Sequence, residues 1–212
     1  MIIEGIILAA GFSSRAGTYK LTLELNGKTI IERCIEGMYD ACSKIIVVGG
    51  YNIEKLTPIL NKYSKIKLAY NENYQTGMLS SVIKGFRHTD GDKVFMIPGD
   101  YPLISLDVYE SLLKVNANIV IPTYEGIKGH PVLMSKAMTG LLLHATGISN
   151  LREFISRHGF TTLEVDCPSI LMDIDTPEDY VHTLNYFNKV KYDSHNNRQY
   201  KQRKDYKASI II

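Results

Sequence analysis

A segment near the amino terminus combines residue types that bind phosphate. It reads "LAAGFSSRAGTYK", residues 8–20, and contains Gly11, Gly17, Arg15 and Lys20. Glycines let successive backbone N–H groups turn toward one anion, while Arg15 supplies a planar fork of donors and Lys20 a point charge. The segment therefore predicts a loop that holds a polyphosphate. A solvated surface loop is the alternative interpretation.

Two common phosphate-binding fingerprints do not fit this segment. The GxGxxG motif of dinucleotide-binding folds needs a glycine where Ser13 stands. The GxxxxGK[ST] motif is approached by "TLELNGKT", but Thr22 replaces its first glycine. The loop is thus of a third kind, long and with no helix predicted before Thr29.

Aspartates follow two apolar segments further along the chain. "KVFMIPGDYPLIS" predicts a strand that ends at Asp100, and "ILMDIDTPEDY" contains Asp173 and Asp175. Ligands of open α/β sheets bind beyond the carboxyl ends of strands, and magnesium takes one or two carboxylates plus phosphates and water. Asp173 and Asp175 point to one face if the strand persists through them. The alternatives are a turn residue for Asp100 and a helix-favouring charge for Asp175.

Polar residues also occur in "TGMLSSVIKGF" and "YEGIKGHPVLMS". Gly77, Ser80 and Ser81 lie at the predicted start of a helix, where free N–H groups and hydroxyls can contact a nucleobase or phosphate, or simply cap the helix. His130 precedes a predicted short strand and either contacts a substrate phosphate or holds the loop.

Five apolar, β-branched segments alternate with amphipathic ones over the first two thirds of the chain. The predicted strands are "IIEGIILAA", "KIIVVGG", "IKLAY", "KVFMIPGD" and "NIVIPTY". Strands that alternate with helices predict an α/β fold with a mainly parallel sheet, covered on both faces. Thr29 with Glu32 predicts a capping box, and Thr176 with Pro177 predicts the start of a last helix.

Composition predicts one globular domain and excludes several classes of protein. The 212 residues are 45% hydrophobic with a net charge of +2, and no stretch is apolar enough for a membrane span. We therefore expect a cytoplasmic protein that binds neither membrane nor nucleic acid. Its three cysteines, Cys34, Cys42 and Cys167, are expected to be reduced thiols. Residues 188–212 hold seven Lys or Arg against two Asp and predict a basic, poorly ordered extension to a domain of residues 1–187.

The motifs in this order resemble the nucleotidyltransferases with a GT-A-like Rossmann fold, and among them the molybdenum cofactor cytidylyltransferase group. The resemblance covers about residues 3–187. It rests on the first loop and on "KLTLELNGKTIIE", "TGMLSSV", "IPGDYPL", "GHPVL" and "MDIDTPEDY". It implies a single three-layer αβα domain of the nucleotide-diphospho-sugar transferase type, with a mixed, mainly parallel sheet.

The resemblance also implies roles for residues. Catalysis would rest on Lys20, Arg15 and Asp100, and Mg²⁺ on Asp100 and Asp175. The residues expected to hold the nucleotide are Leu8, Ala9, Ala10, Gly11, Ser13, Ser14, Arg15, Lys20, Gly77, Ser80 and Ser81. Those expected to hold a phosphate-bearing acceptor, such as molybdenum-molybdopterin, are Tyr101, His130 and Arg152. "LAAG" in place of "LAGG" implies CTP rather than GTP, and a molybdoenzyme or its chaperone is an implied protein partner.

Three positions depart from the family pattern, and they leave the acceptor open. Ala16 stands where the family usually has Met, Tyr101 where it has Gln, and "TGISNLR" replaces an acidic, glycine-containing turn before Arg152. A same-fold transferase that acts on a sugar or polyol phosphate is one alternative. A nucleotide-binding module without turnover is another, although the carboxylates and the lysine argue against it.

Overall fold

A computed structural model describes residues 1–11 and 19–190 and contains an eight-stranded sheet. The strands are β1 (Ile3–Ala9), β2 (Lys44–Gly49), β3 (Ile66–Tyr70), β4 (Lys93–Pro98), β5 (Ile119–Tyr124), β6 (Ile127–Lys128), β7 (Val132–Ser135) and β8 (Thr161–Glu164). Their order is β3-β2-β1-β4-β7-β5-β6, and β8 pairs with β5. The five apolar strands predicted from the sequence are all present.

The sheet is mixed and mostly parallel, as predicted. Strand β1 pairs in parallel with β2 and β4, β2 with β3, and β5 with β8. Strand β7 lies antiparallel between β4 and β5. The parallel strands therefore end on one side of the sheet, which we call the carboxyl edge, and begin on the opposite side, the amino edge.

Helices cover both faces of the sheet. They are α1 (Ile30–Tyr39), α2 (Ile53–Leu60), α3 (Met78–Phe86), α4 (Leu106–Leu113), α5 (Lys136–His144), α6 (Leu151–His158) and α7 (residues 177–190). Successive strand residues face opposite sides: Ile7 lies in the buried cluster with α1, α2 and α4, and Ile6 in the cluster with α3, α5 and α6. The domain is thus a three-layer αβα sandwich.

Both predicted helix starts are confirmed. Thr29 and Glu32 form a capping box at α1, with the Thr29 N–H 2.8 Å from Glu32 Oε2. At α7 the Thr176 hydroxyl accepts from the Asp179 N–H at 3.2 Å. Helix α7 continues to residue 190 and so passes the domain boundary predicted at residue 187. The rest of the predicted extension lies outside the described residues.

The strand expected to carry Asp173 and Asp175 was predicted wrongly. Pro168–Leu171 form a 3-10 turn, and residues 172–176 have no regular structure. The Ser169 hydroxyl donates to the Leu103 carbonyl at 2.8 Å, and the Ile170 carbonyl accepts from the His130 N–H at 3.0 Å. These bonds to two other loops replace those of a strand ladder.

The cysteines are free thiols, and the chemistry of two of them is suppressed by burial. Cys34 and Cys42 are buried, Cys167 is partly exposed, and none is in a disulfide. Burial raises the pKa of the Cys34 and Cys42 thiols, which keeps them protonated. No helix among the described residues combines the length and apolar character that a membrane span needs.

Candidate active site

Three charged side chains from distant parts of the chain meet at the carboxyl edge. Lys20 begins the 3-10 turn Lys20–Thr22, Asp100 follows β4, and Asp175 precedes α7. The Lys20 Nζ lies 2.6 Å from Asp100 Oδ2 and 2.8 Å from Asp175 Oδ1. The two carboxylates therefore share one cationic centre. We call these three residues the charged cluster.

The cluster is partly withdrawn from water and keeps its lysine charged. The side chains of Lys20 and Asp100 are 13% and 17% exposed, whereas that of Asp175 is 41% exposed. Burial alone would lower the pKa of Lys20, but Asp100 and then Asp175 outweigh it and raise that pKa. Burial, with the nearby charges of Asp100 and Asp175, raises the pKa of Asp173. The site thus carries more negative than positive charge.

The second carboxylate oxygen of Asp100 has no partner. Asp100 Oδ1 is one of two buried side-chain oxygens or nitrogens that lack a hydrogen bond within residues 1–11 and 19–190. A buried oxygen of an ionised carboxylate is costly unless a cation or a donor reaches it. Within the same ranges, no group of three or more His, Cys, Asp or Glu side chains could hold a metal ion. Two carboxylates and an open oxygen fit magnesium, which completes its coordination with substrate phosphates and water.

Hydrogen bonds between neighbouring segments fix the position of the charged cluster. The Gly99 N–H donates to the Leu8 carbonyl at 2.9 Å, which extends the β1–β4 pairing to the residue before Asp100. The Ile174 N–H donates to the Asp100 carbonyl at 3.1 Å. The buried Tyr19 hydroxyl donates to the Ala9 carbonyl at 3.1 Å. The residue next to Lys20 is therefore tied to the end of β1.

The expected phosphate loop is described only at its two ends. Leu8, Ala9 and Ala10 are buried where β1 ends, and Gly11 is exposed. The predicted ligands Ser13, Ser14 and Arg15 lie outside the described residues. Among the loop residues that the structure describes, Lys20 is the one placed in the charged cluster.

The start of α3 lies at the carboxyl edge and holds a polar network. Gly77 caps the helix with φ +113°, a backbone conformation that favours glycine. Ser81 is only 4% exposed, whereas Ser80 is partly exposed. The side-chain amide of Asn71 donates to both serine hydroxyls, at 2.9 Å each. Of the two serines, Ser80 is the one that a ligand can reach.

Tyr101 and His130 form an aromatic pair beside the cluster. Their ring centroids are 4.8 Å apart at 65°, and the His130–Pro131 peptide is cis. Burial lowers the pKa of His130 to about 4, and its Nδ1 is the second buried atom without a partner in the described chain. His130 is therefore neutral at pH 7. Burial and the charges of Asp173, Asp100 and Asp175 raise the pKa of Tyr101, which stays a neutral phenol.

Arg152 is not brought into the charged cluster. It is exposed in the first turn of α6. Helix α6 runs toward the amino edge, since β8, which follows it, is parallel to β5. Arg152 therefore lies toward the carboxyl edge, but no hydrogen bond or ion pair among the described residues links it to Lys20 or Asp100.

Comparison with known proteins identifies the family of the chain. Residues 5–162 match the model of the MobA-like NTP transferase domain. The chain belongs to this family. Its members are nucleotidyltransferases, so the family assigns the class of reaction. The resemblance inferred from the sequence is confirmed at this level, as is the fold.

Individual relatives of the MobA-like chain carry two different base specificities. It is 31% identical to the molybdenum cofactor cytidylyltransferase of Escherichia coli (strain K12), over 84% of this chain and 94% of that one. It is 27% identical to the molybdenum cofactor guanylyltransferase of Shewanella sp. (strain MR-4), over 83% of this chain and 92% of the other. A nucleotidyl transferase from Methanothermobacter thermautotroptrophicus shares the fold, with TM-score 0.78, 22% identity, and coverage of 89% of this chain and 99% of that one.

Sequence reasoning about this MobA-like domain missed Asn71. It lies in the polar segment "NENYQTG", and this segment has the composition of a surface loop. In the structure it is 2% exposed and bonded to both serines. The one available signal was its position directly after a predicted strand, where ligand-binding residues of parallel sheets collect.

Proposed function

We propose that the protein transfers CMP from CTP to a phosphate-bearing acceptor such as molybdenum-molybdopterin and releases pyrophosphate. The observation that carries this proposal is Lys20 held between Asp100 and Asp175 at the carboxyl edge. A lysine ammonium beside two carboxylates suits a site that exchanges one set of anions for another. The MobA-like family and the cytidylyltransferase relative support the reaction class and the base.

The reaction is an in-line displacement at the α-phosphorus of the nucleotide. An oxygen of the acceptor phosphate forms the new bond to this phosphorus, and the bond to the β-phosphate oxygen breaks. Pyrophosphate leaves with the electron pair of that bond. Because the attacking oxygen is already an anion, no general base is needed, and catalysis depends on positioning and on neutralisation of charge.

Lys20 would bind the triphosphate and stabilise the leaving pyrophosphate. Its ammonium now contacts both carboxylates, so it must exchange them for phosphate oxygens when the nucleotide binds. Arg15 and the amides around Gly11, Ser13 and Ser14 would hold further phosphate oxygens. These contacts would place positive charge and N–H donors next to the oxygens of pyrophosphate, where negative charge develops as it leaves.

Asp100 and Asp175 would hold Mg²⁺. The unpartnered Asp100 Oδ1 and the exposed carboxylate of Asp175 are the donors that fit this ion. Bound there, Mg²⁺ would neutralise charge on the phosphates. Asp173, whose pKa is raised by burial, would contribute as a nearby carboxyl rather than as a ligand.

The acceptor would lie beside Tyr101 and His130. His130 is neutral near pH 7 and has an unpartnered nitrogen, so it can make a hydrogen bond without adding charge. Arg152 would contact the acceptor phosphate from the first turn of α6. The Tyr101 phenol, which replaces the usual glutamine, would change which acceptors fit.

The first experiment separates nucleotide binding from turnover. Thermal midpoints are measured with CTP, GTP, ATP and UTP, each with and without Mg²⁺, because a ligand that binds only the folded state raises the midpoint. We expect the largest shift with CTP and Mg²⁺. A larger shift of the midpoint with GTP would assign the protein to the guanylyltransferase group. No shift of the midpoint with any nucleotide would reject the proposal.

Turnover is then measured as pyrophosphate release from CTP, Mg²⁺ and molybdopterin. We expect Lys20→Ala to reduce the rate by a factor on the order of 10² or more, the scale for loss of one preorganised charge. Lys44→Ala, which removes a lysine at the amino edge, is the matched control. Wild-type turnover in Lys20→Ala would exclude Lys20 from catalysis.

A further inference from the structure

Asn71 is buried, and both the NH₂ group and the oxygen of its side-chain amide have hydrogen-bond partners. Its two N–H groups donate to the Ser80 and Ser81 hydroxyls, and its Oδ1 accepts from the Asn73 N–H at 3.0 Å. Its backbone N–H donates to the Gly49 carbonyl at 2.9 Å. Three side-chain bonds on a residue that is 2% exposed fix its rotamer. Asn71 therefore joins the end of β2 to the start of α3 as a rigid bracket.

The bonds around Ser80 determine what its hydroxyl can offer a ligand. The Ser80 O–H points at the carbonyls of Asn73 and Gly77, at 2.9 and 2.8 Å. One of its two lone pairs is taken by Asn71. A hydroxyl has one hydrogen and two lone pairs. Ser80 is thus left with a single free lone pair, and it presents an acceptor to any ligand that reaches it.

This acceptor is bonded to the segment of residues 71–77, which contains Tyr74 and approaches the end of β1. At Gly50, which follows β2, a side-chain Cβ would come within 2.7 Å of Tyr74 and 3.0 Å of the Ala10 side chain. The absence of a side chain there lets the segment from Asn71 to Gly77 approach Ala10. The segment whose Asn73 and Gly77 carbonyls hold the Ser80 hydroxyl therefore comes close to Ala10, at the start of the expected phosphate loop.

We propose that Asn71 is a positioning residue that holds the Ser80 hydroxyl as a fixed acceptor for an amino group of the nucleobase. The inference rests on the proposed function and adds how the base is chosen. Cytosine has an exocyclic amino group where uracil has a carbonyl oxygen. A fixed acceptor pairs with the amino group and repels the carbonyl, so the bracket would favour CTP over UTP.

The test compares dissociation constants of CTP and UTP, each with Mg²⁺, by calorimetry on the full chain. We expect Asn71→Ala and Ser80→Ala each to reduce the preference for CTP over UTP by roughly 3- to 10-fold, the range for loss of one neutral hydrogen bond. Asn71→Ser keeps a polar side chain but is too short to hold the Ser80 hydroxyl in place. It should also reduce the preference, and it serves if Asn71→Ala fails to fold.

Ser81→Ala is the matched control. It removes the other hydroxyl bonded to Asn71, but Ser81 is buried away from ligand. We expect it to lower the thermal midpoint and to leave the CTP to UTP ratio within about twofold, less than one hydrogen bond. Equal losses for both nucleotides in the Asn71 variants would make Asn71 purely structural and overturn the inference. So would a changed ratio in Ser81→Ala.

The same measurements distinguish this inference from the proposed function. Wild-type protein that binds none of the nucleotides, or that prefers GTP, rejects the proposed function and the inference with it. Wild-type protein that prefers CTP, with variants that keep the same CTP to UTP ratio, rejects the inference alone.

Discussion

Each end of the sheet carries a shielded carboxylate that is paired with a lysine, but the two carboxylates differ in how many of their oxygens have a hydrogen-bond partner. At the amino edge, Glu4 is 4% exposed; its Oε1 lies 2.9 Å from the Lys44 Nζ and its Oε2 accepts from the Asp90 N–H at 2.9 Å. At the carboxyl edge, Asp100 pairs with Lys20 through one oxygen, and its other oxygen has no partner in the described chain. Both carboxylates are shielded from water. Only the first is fully satisfied.

The difference is the one expected between an ion pair that serves the fold and one that a ligand completes. A buried carboxylate with a partner on each oxygen has part of its desolvation cost offset. A carboxylate left short of a partner costs stability, and native proteins keep such groups where a ligand completes them. Under the proposed function, the same residue types serve the fold at one edge and the chemistry at the other.

The largest expected effect comes from Asp100→Asn. This change removes one charge and replaces a carboxylate oxygen by an amide NH₂, so pyrophosphate release should fall by a factor on the order of 10² or more. The free energy of unfolding should change by less than about 1 kcal/mol, since Lys20 keeps Asp175 as a partner. Rate assays and urea titrations on the same preparation measure both. A variant that loses stability and keeps turnover would reverse the roles of the two edges.

His130 sharpens the comparison because it also carries an unpartnered atom at the carboxyl edge. Its folded pKa of about 4 lies below the ordinary value of 6.5. The unfolded chain therefore binds more protons between these values, and stability is lost as pH falls from 6.5 toward 4. The loss due to this residue should reach up to about 3 kcal/mol.

The measurement for His130 is the free energy of unfolding by urea between pH 4.5 and 7. His130→Gln should show a smaller fall with decreasing pH than the wild type. His158→Gln, at the end of α6, is the matched control for the substitution of a histidine by glutamine. Parallel curves for His130→Gln and wild type would mean that His130 is protonated equally in both states.

Glu4→Gln tests the amino edge. The ion pair with Lys44 is weakened while the shape of the side chain is kept, so the free energy of unfolding should fall by about 1–3 kcal/mol. Turnover per folded molecule should not change, since Glu4 lies at the opposite end of the sheet from the charged cluster. Loss of turnover without loss of stability would contradict the structural role of this pair.

The smallest expected effect concerns cation binding without nucleotide. In Lys20→Ala the ammonium no longer occupies the space between Asp100 and Asp175, so Mn²⁺ used as a probe should bind about tenfold more tightly, or ~1.4 kcal/mol. Electron paramagnetic resonance of free Mn²⁺ measures this directly. Lys44→Ala should leave Mn²⁺ binding at the wild-type level. Unchanged affinity in Lys20→Ala would show that Lys20 does not compete for that space.

Elements with a strong local signal could be predicted from the sequence. Strands β1, β2 and β4 are almost wholly buried and therefore read as continuous apolar segments. Strand β8 was missed because three of its four residues are exposed and polar or charged, so its pattern resembles a loop. Its pairing with β5 is a property of the assembled sheet rather than of the local sequence.

The site was predicted in its residue types but not in its contacts. Asp100 and Asp175 were expected to share a cation, and the structure shows that they share the Lys20 ammonium. The sequence analysis assigned Lys20 to phosphate binding. It did not predict the contacts with Asp100 and Asp175, because these residues lie 80 and 155 positions from Lys20 and no local pattern relates them. Asn71 was missed for the same reason, since its burial depends on α3 closing over the end of β3.

The contact between Lys20 and Asp175 also bears on how the protein is made. It joins positions 155 residues apart, across nearly the whole described domain. A chain growing from its amino terminus presents the phosphate loop early, yet it has no second carboxylate until the residues before α7 have been synthesised. An unfinished chain can therefore expose the loop but cannot complete the charged cluster. The charged cluster is completed only after the residues before α7 have been synthesised.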